Sequence, residues 1–255
     1  MEKSSEVKEF YKLSASERLE YVRNFANLTQ EEATILSHYG GLGAETANRM
    51  VENVVGTTQL PIGIATGFKI NGRDYLIPFA IEEPSVVAGA SKAAKTARVA
   101  GGFTVTSTEP VMIGQIQLVN PRFGENDWAN AIKTIKENES KLVAFANTLD
   151  KTLVEHGGGA CKLETRVINS PRGKMLIAHL LVDVRDAMGA NAVNSMCEAL
   201  APKLEELTGA SVRLRIISNL AVHRTAHAKA VFPKSELAVE GICDGEETVE
   251  RILDA

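Results

Sequence analysis

The sequence is poor in cysteine and has no long uncharged apolar run. Its three cysteines, Cys161, Cys197 and Cys243, are too few and too scattered for a disulfide framework or a zinc site. No stretch approaches the roughly 18 apolar residues that cross a bilayer. The N-terminus lacks the basic and apolar regions of a signal peptide. These absences predict a reduced, cytoplasmic protein that contacts no membrane.

The chain also lacks the excess of positive charge that nucleic acids attract. Its 28 Lys and Arg residues against 32 Asp and Glu give a net charge of −4, which argues against nucleic acid as the main partner. In a chain of 255 residues, 44% hydrophobic and 24% charged residues are typical of a globular protein with one large domain or two modest ones.

No G-x-G-x-x-G motif is present. The runs Gly40-Gly41-Leu42-Gly43 and Gly157-Gly158-Gly159 do not fit it, and neither carries a strand properly into a helix. A standard Rossmann domain is therefore disfavoured, and any dinucleotide site must have another architecture.

The first hundred residues indicate short helices followed by a hairpin. Capping boxes at 14–17 and 29–32 mark helix starts, and Asn71-Gly72 is a strong hairpin turn signal. Pro84 suits the first position of an alanine-rich helix that Gly101-Gly102 ends. The predicted elements are helices near 15–27, 30–38, 43–53 and 84–100, and strands at 60–70 and 75–81.

Residues 111–219 follow the order β-α-β-β-α-β of the ferredoxin-like, split β-α-β arrangement. Helical patterns return after Asn219, and the end at Ala255 lacks a helix-ending Gly or Pro, so we expect a chain that is cut there. The predicted elements are strands at 111–119, 161–168, 175–184 and 212–217, and helices at about 126–153 and 190–207.

The segment 182–191 carries an apolar strand through a turn with two carboxylates into a helix. Gly189 permits close backbone approach, and the free N–H groups of a helix start bind phosphate. The carboxylate and amide nearby could bind ribose hydroxyls or a nicotinamide amide. Such turns are common, so the residues alone favour a purely structural role.

Glu83 stands between an apolar strand and a helix and has two interpretations. A carboxylate at a helix start stabilises the helix dipole. A partly desolvated carboxylate beside Glu82 would have its pKa raised toward neutrality, which suits proton transfer. From spacing alone the first interpretation is favoured.

Other candidates are weaker. His223 and His227 stand four apart, as on one helix face, but lack the glutamate and third ligand of a zinc site. Ser85 has no obvious His and Asp partners in the sequence, so a serine triad is not supported. The basic residues Lys92, Lys95 and Arg98 are most simply a solvated helix face, although they could neutralise coenzyme phosphates.

Three segments together resemble the class II, bacterial and archaeal, 3-hydroxy-3-methylglutaryl-coenzyme A reductases. Glu52-Asn53-Val54-Val55-Gly56 resembles their E-N-V-x-G segment, residues 77–88 resemble the stretch around their catalytic glutamate, and residues 186–191 resemble their D-A-M-G-x-N motif. The similarity extends over nearly all of residues 10–255. It favours the functional interpretations of Glu83 and of the turn at 182–191.

The resemblance implies an α+β fold. A large mixed α/β domain would bind the coenzyme A thioester, in an incomplete form at 1–110 and 220–255. A ferredoxin-like βαββαβ domain inserted at 111–219 would bind NAD, with NADP also possible. The reaction would reduce hydroxymethylglutaryl-coenzyme A with two hydrides to mevalonate and free coenzyme A, through a mevaldehyde-level intermediate, or run in reverse.

The resemblance also implies roles for single residues. Glu83 would supply protons, Ser85 would bind the glutaryl part, and Lys12 would meet a coenzyme A phosphate. Asp150 would bind the adenosine ribose and favour NAD, because its charge repels a 2′-phosphate. The remaining contacts expected with the dinucleotide are those of Asp186, Met188, Gly189, Asn191 and Asn219. Those expected at a homodimer interface beside the active site are Glu52, Asn53 and Gly56.

In the family, the oxyanion-stabilising lysine, its partner aspartate and the histidine that protonates the coenzyme A thiolate align beyond Ala255. The 255 residues alone are therefore expected to be inactive and to expose apolar surface on the large domain. Two alternatives are a truncated module that binds NAD and dimerises without turnover, and an interaction protein with a ferredoxin-like domain and no ligand.

Overall fold

A computed structural model describes residues 3–38, 40–120 and 128–255. The chain divides into two compact units, one of Met1–Val105 with Ala228–Ala255 and one of Thr106–His227. We call them unit 1 and unit 2. The division of function among 1–110, 111–219 and 220–255 stays a prediction.

Unit 1 begins with short helices whose capping boxes form as predicted. Ser14 Oγ accepts from Glu17 N while the Glu17 carboxylate accepts from Ser14 N, and Thr29 and Glu32 repeat the pattern. The third predicted helix, 43–53, is too long, because the chain leaves helical geometry after Met50. These elements are a 3₁₀ turn at Phe10–Lys12, α1 (Ala15–Ala26), α2 (Gln30–Ser37) and α3 (Ala44–Met50).

The hairpin and the helix after it are confirmed, with β1 at Ile62–Ile70, β2 at Arg73–Ala80 and α4 at Pro84–Val99. Asn71 and Gly72 both have positive φ, 49° and 80°, as a two-residue hairpin turn requires. Helix α4 packs on the hairpin through small side chains, which allow the helix backbone to approach the sheet closely. Those that are fully buried are Ala65, Ala94 and Ala97.

Two strands of the first sheet were not predicted. β3 (Phe103–Ser107) and β8 (Ala226–Ala230) complete the strand order β2-β1-β3-β8. The helical prediction for the segment after Asn219 is wrong over β8, because pairing at a sheet edge overrides the helix propensity of its alanines. Helix returns only as a 3₁₀ turn at Lys234–Glu236 and as α9 (Gly245–Asp254).

Unit 2 has the predicted order of strands and helices. The second sheet runs β5-β6-β4-β7, with every neighbouring pair antiparallel. This is the strand order of a split β-α-β arrangement. The elements are β4 (Val111–Val119), β5 (Gly159–Ser170), β6 (Gly173–Asp183), α8 (Ala190–Thr208) and β7 (Ser211–Ile217).

The single helix predicted at 126–153 is wrong. Three helices occupy this stretch, α5 (Trp128–Glu137), α6 (Glu139–Asn147) and α7 (Lys151–Glu155), while residues 126 and 127 lie outside the described residues. Asn138 donates from Nδ2 to Thr134 O, and Asp150 accepts from Leu153 N. At the two breaks between these helices, the Asn138 and Asp150 side chains form hydrogen bonds with backbone groups. Short polar residues interrupt a helix in this way because they compete with its own backbone hydrogen bonds.

The core of unit 2 lies between its sheet and the helices on one face. The largest side chains that are fully buried come from two strands, β4 and β6, and two helices, α5 and α8: Ile116, Leu118, Ile135, Leu176, Leu180, Met196, Leu200 and Leu204. All three cysteines of the chain are free, and burial raises the pKa of Cys197 to about 12. Among the described residues, no helix combines the length and apolarity that crossing a bilayer needs.

Candidate functional site

The turn between β6 and α8 is the most distinctive local structure of unit 2. Val184 is fully buried, whereas Asp186 and Met188 are exposed. Two residues of the turn have left-handed backbone, Arg185 with φ 52° and Gly189 with φ 90°. The strand thus enters the turn anchored in the core, and the turn presents its carboxylate to solvent.

Gly189 fills a position that no larger residue can take. A Cβ there would lie 2.6 Å from Met112 Sδ and 2.7 Å from Val184 Cγ1. Gly189 is the N-cap of α8, and no side chain caps this helix start. The first backbone N–H groups of α8 therefore stay available to an anion or an amide carbonyl. Asn191 lies exposed in this first turn.

The loop after α7 lies against the end of β6. This tight packing accounts for the three glycines of the loop, Gly157, Gly158 and Gly159. Gly157 and Gly159 have φ values of 81° and 117°. A Cβ on Gly158 would lie 2.6 Å from Asp183 O, and one on Gly159 would lie 2.5 Å from Asn147 Oδ1. The glycine run therefore serves a tight loop. Asp150 caps the helix before it, accepting from Leu153 N at 2.9 Å.

Arg185 connects this loop to the turn. Its Nε donates to Gly157 O at 3.0 Å, and its Nη2 lies 2.6 Å from Asp183 Oδ2. Arg185 is not among the site residues predicted from the sequence. Its position directly before Asp186 was the available signal, but the left-handed backbone that aims its side chain at the loop cannot be read from the sequence.

The other side of the turn faces the segment that follows β7. Thr108 holds this segment, donating from Oγ1 to His223 O and accepting from Thr225 N. The Arg224 guanidinium lies 3.4 Å from Ala187 O and 3.5 Å from Met188 O. Both arginines and Asp186 line one shallow depression of unit 2, together with Ser107, Thr108, Pro110, Thr225 and Ala226. Arg224, like Arg185, is not among the site residues predicted from the sequence.

Asn219 lies at the start of the same segment. It is exposed, directly after β7 and Ser218, and its carbonyl accepts from Ala221 N. The helix face expected for His223 and His227 does not exist, because His227 lies on β8 and His223 in a turn. No group of three or more metal-ligating side chains occurs in the part of the chain that the structure describes.

In unit 1, Glu83 is the N-cap of α4. Its carboxylate accepts a hydrogen bond from Ser85 Oγ at 2.8 Å and a long one from Ser85 N at 3.4 Å. Both side chains are exposed. Glu83 therefore caps α4, as the first of its two interpretations predicted. The hydroxyl of Ser85 also gives Glu83 Oε1 a fixed partner.

The other predicted site residues of unit 1 are exposed. Lys12 lies in the 3₁₀ turn and forms an ion pair with Glu9. Glu52, Asn53 and Gly56 lie in the irregular segment after α3, where Asn53 has a positive φ of 55°. Each of these side chains or backbone groups is therefore accessible to a ligand or a second chain.

A broad groove of about 1930 Å³ runs along unit 1 and has mostly apolar walls. Lys92 and Lys95 of α4 are exposed and line it, with Val87 and Ser91 from the same helix. Arg98 does not share their solvated face, which corrects that interpretation. Its side chain is mostly buried, and its guanidinium pairs with Asp74.

The sequence model of the hydroxymethylglutaryl-coenzyme A reductase family matches residues 14–255. The chain belongs to this family.

Individual relatives are similar over almost the whole chain. The 3-hydroxy-3-methylglutaryl-coenzyme A reductase of Archaeoglobus fulgidus is 53% identical over 255 residues, which cover 98% of this chain and 55% of that protein. A probable reductase of the same name from Borreliella burgdorferi is 31% identical over 225 residues, covering 88% of this chain and 49% of that protein. The chain spans about half the length of these relatives.

Solved structures agree with the fold. The reductase of Streptococcus pneumoniae superposes with a TM-score of 0.86 at 34% identity, covering 96% of this chain and 65% of that one. A class II form of that enzyme bound to NADPH in open conformations gives 0.84 at 34% identity, over 95% of this chain and 63% of that one. The predicted α+β fold class and the resemblance to class II reductases are confirmed.

Proposed function

We propose that this chain forms the dinucleotide-binding and thioester-binding parts of a 3-hydroxy-3-methylglutaryl-coenzyme A reductase. The observation that carries the proposal is the turn at 184–189, which exposes Asp186 beside an uncapped helix start. In the reaction, the thioester carbon accepts two hydrides in succession. With two protons, the products are mevalonate and coenzyme A.

The residues of unit 2 fit a dinucleotide. The absence of a Cβ on Gly189 lets the turn pack against Met112 and Val184, and the first N–H groups of α8 have no side-chain cap, so they can meet a charged or polar group. Asp186, Met188 and Asn191 would hold the nicotinamide half, with Asn219 as a further contact. Asp150 would hold the adenosine ribose. When bound, the dinucleotide supplies the hydrides.

Glu83 is the proposed proton donor. Negative charge develops on the substrate carbonyl oxygen as each hydride arrives, so a nearby acid must supply a proton. Ser85 Oγ already donates to Glu83 Oε1, which leaves the second carboxylate oxygen for the substrate. We assign Ser85 to the glutaryl part and Lys12 to a coenzyme A phosphate.

The proposal extends to cofactor choice and assembly. A carboxylate at Asp150 repels a 2′-phosphate and so favours NAD over NADP. The exposed segment with Glu52, Asn53 and Gly56 is proposed to meet a second copy of the chain in a homodimer. Residues 111–219 would then form the NAD-binding domain, and residues 1–110 with 220–255 the substrate domain.

Calorimetric titration with NADH and NADPH tests the dinucleotide site directly. Asp186→Ala is expected to abolish the heat of binding, while Asp254→Ala, an exposed aspartate at the end of α9, leaves it unchanged. An Asp186→Ala protein with unaltered NADH affinity contradicts the assigned site.

A parallel assay for coenzyme A release from hydroxymethylglutaryl-coenzyme A separates the alternatives, and it uses the protein isolated from its source because the 255 residues alone are expected to be inactive. Binding together with thiol release supports the reductase. Binding without release supports a dinucleotide-binding, dimerising module. Neither signal contradicts both and leaves an interaction protein of the same fold.

A further inference from the structure

Arg185 has a backbone conformation that is energetically unfavourable for a residue with a Cβ. Its φ of 52° lies in the left-handed region, which residues with a Cβ seldom adopt. Outside glycine, asparagine and aspartate, such a conformation persists only where surrounding contacts hold it, and it clusters at functional sites. The contacts that hold Arg185 therefore indicate what the conformation achieves.

One carboxylate supplies two of these contacts. Asp183 Oδ1 accepts from Arg185 N at 2.9 Å, and Asp183 Oδ2 accepts from Arg185 Nη2 at 2.6 Å. The Asp183 side chain is only 14% exposed, whereas that of Arg185 is 43% exposed. The carboxylate thus fixes both ends of Arg185 and directs its guanidinium back along the end of β6.

The third contact leads to a different segment. Arg185 Nε donates to Gly157 O at 3.0 Å, across 28 residues of sequence. Gly157 begins the glycine loop, whose next residue leaves no room for a Cβ against Asp183 O. The loop is therefore held on both sides, by the strand end beneath it and by the guanidinium.

We propose that Arg185 is a positioning residue that ties the Gly157–Gly159 loop to the Asp186–Asn191 turn. This inference rests on the proposed function, in which the helix before the loop carries Asp150 and the turn carries Asp186. The adenosine-binding and nicotinamide-binding segments then keep one fixed spacing. Arg185 acts through both segments and need not touch the dinucleotide.

Fixed spacing matters because a dinucleotide is two linked ligands. Once one half is bound, the effective concentration of the other half depends on how well its site is placed. If the spacing fluctuates, the whole dinucleotide loses affinity while each half alone keeps most of its own. That difference separates a positioning role from a direct contact.

The experiment is a calorimetric titration of the full chain with NADH, AMP and nicotinamide mononucleotide. Arg185→Gly is the main variant, because glycine adopts the left-handed backbone freely and the loss then reports on the side chain alone. Arg185→Ala removes the same contacts but retains the Cβ and with it the strain of the left-handed backbone, and Arg185→Lys keeps a charge near Asp183 but not the forked donors. Arg166→Ala, an exposed arginine on β5, is the matched control.

We expect Arg185→Gly to weaken NADH binding by about tenfold, the value of one hydrogen bond to a charged group. Binding of AMP and of the mononucleotide should change by less than about twofold, Arg185→Lys should be intermediate, and Arg166→Ala should match the wild type. Thermal unfolding of each variant checks its fold. Should Arg185→Ala fail to fold, Arg185→Gly carries the test.

Two results overturn the positioning role but leave the proposed function standing. One is unchanged NADH affinity in Arg185→Gly. The other is an equal loss for NADH and for one half alone, which indicates direct contact. A wild-type chain that binds neither NADH nor NADPH overturns the proposed function, and this inference with it.

Discussion

The guanidinium of Arg98 forms a two-point ion pair with the carboxylate of Asp74, with Nη1–Oδ1 at 2.9 Å and Nη2–Oδ2 at 3.1 Å. The pair fastens α4 to β2 beneath the N-terminal segment, where Ser5 N also donates to Asp74 Oδ2. The two side chains are 18% and 15% exposed, so solvent screens the pair less than one on the surface.

This pair predicts a loss of stability in acid. The hydrogen bonds from Arg98 lower the pKa of Asp74, against the opposing effect of burial. A lowered folded-state pKa gives stability that is present above the unfolded pKa of about 3.9 and is lost as pH falls through the folded value. We expect Asp74→Asn to lower the free energy of unfolding by about 2 kcal/mol near neutral pH. Urea unfolding should show this difference shrinking as the pH falls.

The control for this prediction is Glu6→Gln. Glu6 also contacts Arg98, at 3.3 Å, but its side chain is 53% exposed, so we expect a much smaller effect. A difference between wild type and Asp74→Asn that stays constant from neutral to acid pH would contradict the assignment to Asp74.

Local signals in the sequence predicted the elements well. The capping boxes at Ser14 and Thr29 and the turn at Asn71-Gly72 each specify their geometry within four residues, and all three form. The order of strands and helices in unit 2 followed from the hydrophobic period together with the turn residues at 169–173. The predictions that were wrong concern elements whose structure depends on partners distant in sequence. β8 is a strand because it pairs in a sheet, although its alternating alanines favour a helix.

The candidate site divides in the same way. The turn at 184–189 could be recognised only through its resemblance to the D-A-M-G-x-N motif, because strand-to-helix turns with these residue types are common. Arg185 and Arg224 could not, because their roles come from where the backbone aims them. Arg98 looked solvated from its spacing with Lys92 and Lys95, and only the fold brings Asp74 to it.

Gly189→Ala is expected to destabilise unit 2 and to abolish dinucleotide binding. The new Cβ would meet Met112 Sδ and the Cγ1 of Val184, which is fully buried and cannot move aside, besides straining a φ of 90°. We expect a loss of about 3 kcal/mol, from strain and overpacking together. Gly72→Ala is the matched control, with φ 80° and open space, and should cost about 1 kcal/mol. Equal losses in the two variants would refute the steric argument.

Asp150→Asn should relax the discrimination between the two nicotinamide dinucleotides. Asparagine keeps an oxygen that can accept from Leu153 N, so the cap of α7 survives while the charge is removed. We expect the affinity for NADPH to rise by about tenfold relative to NADH. Competitive titration of the two cofactors measures the ratio. An unchanged ratio, with α7 intact by circular dichroism, would show that Asp150 does not face the 2′ position.

Glu83→Gln should separate proton donation from helix capping, provided that kcat is measured on a catalytically competent protein that includes this chain, such as the protein isolated from its source. Glutamine retains an oxygen that can accept from Ser85 Oγ, so α4 keeps its cap and the thermal midpoint should stay within about 2 °C. The amide cannot give up a proton, so kcat should fall by about a hundredfold or more with little change in KM. Glu82→Gln, the exposed neighbour, is the control and should keep kcat. A Glu83→Gln enzyme with wild-type kcat would leave Glu83 only the structural role that its hydrogen bonds already give it.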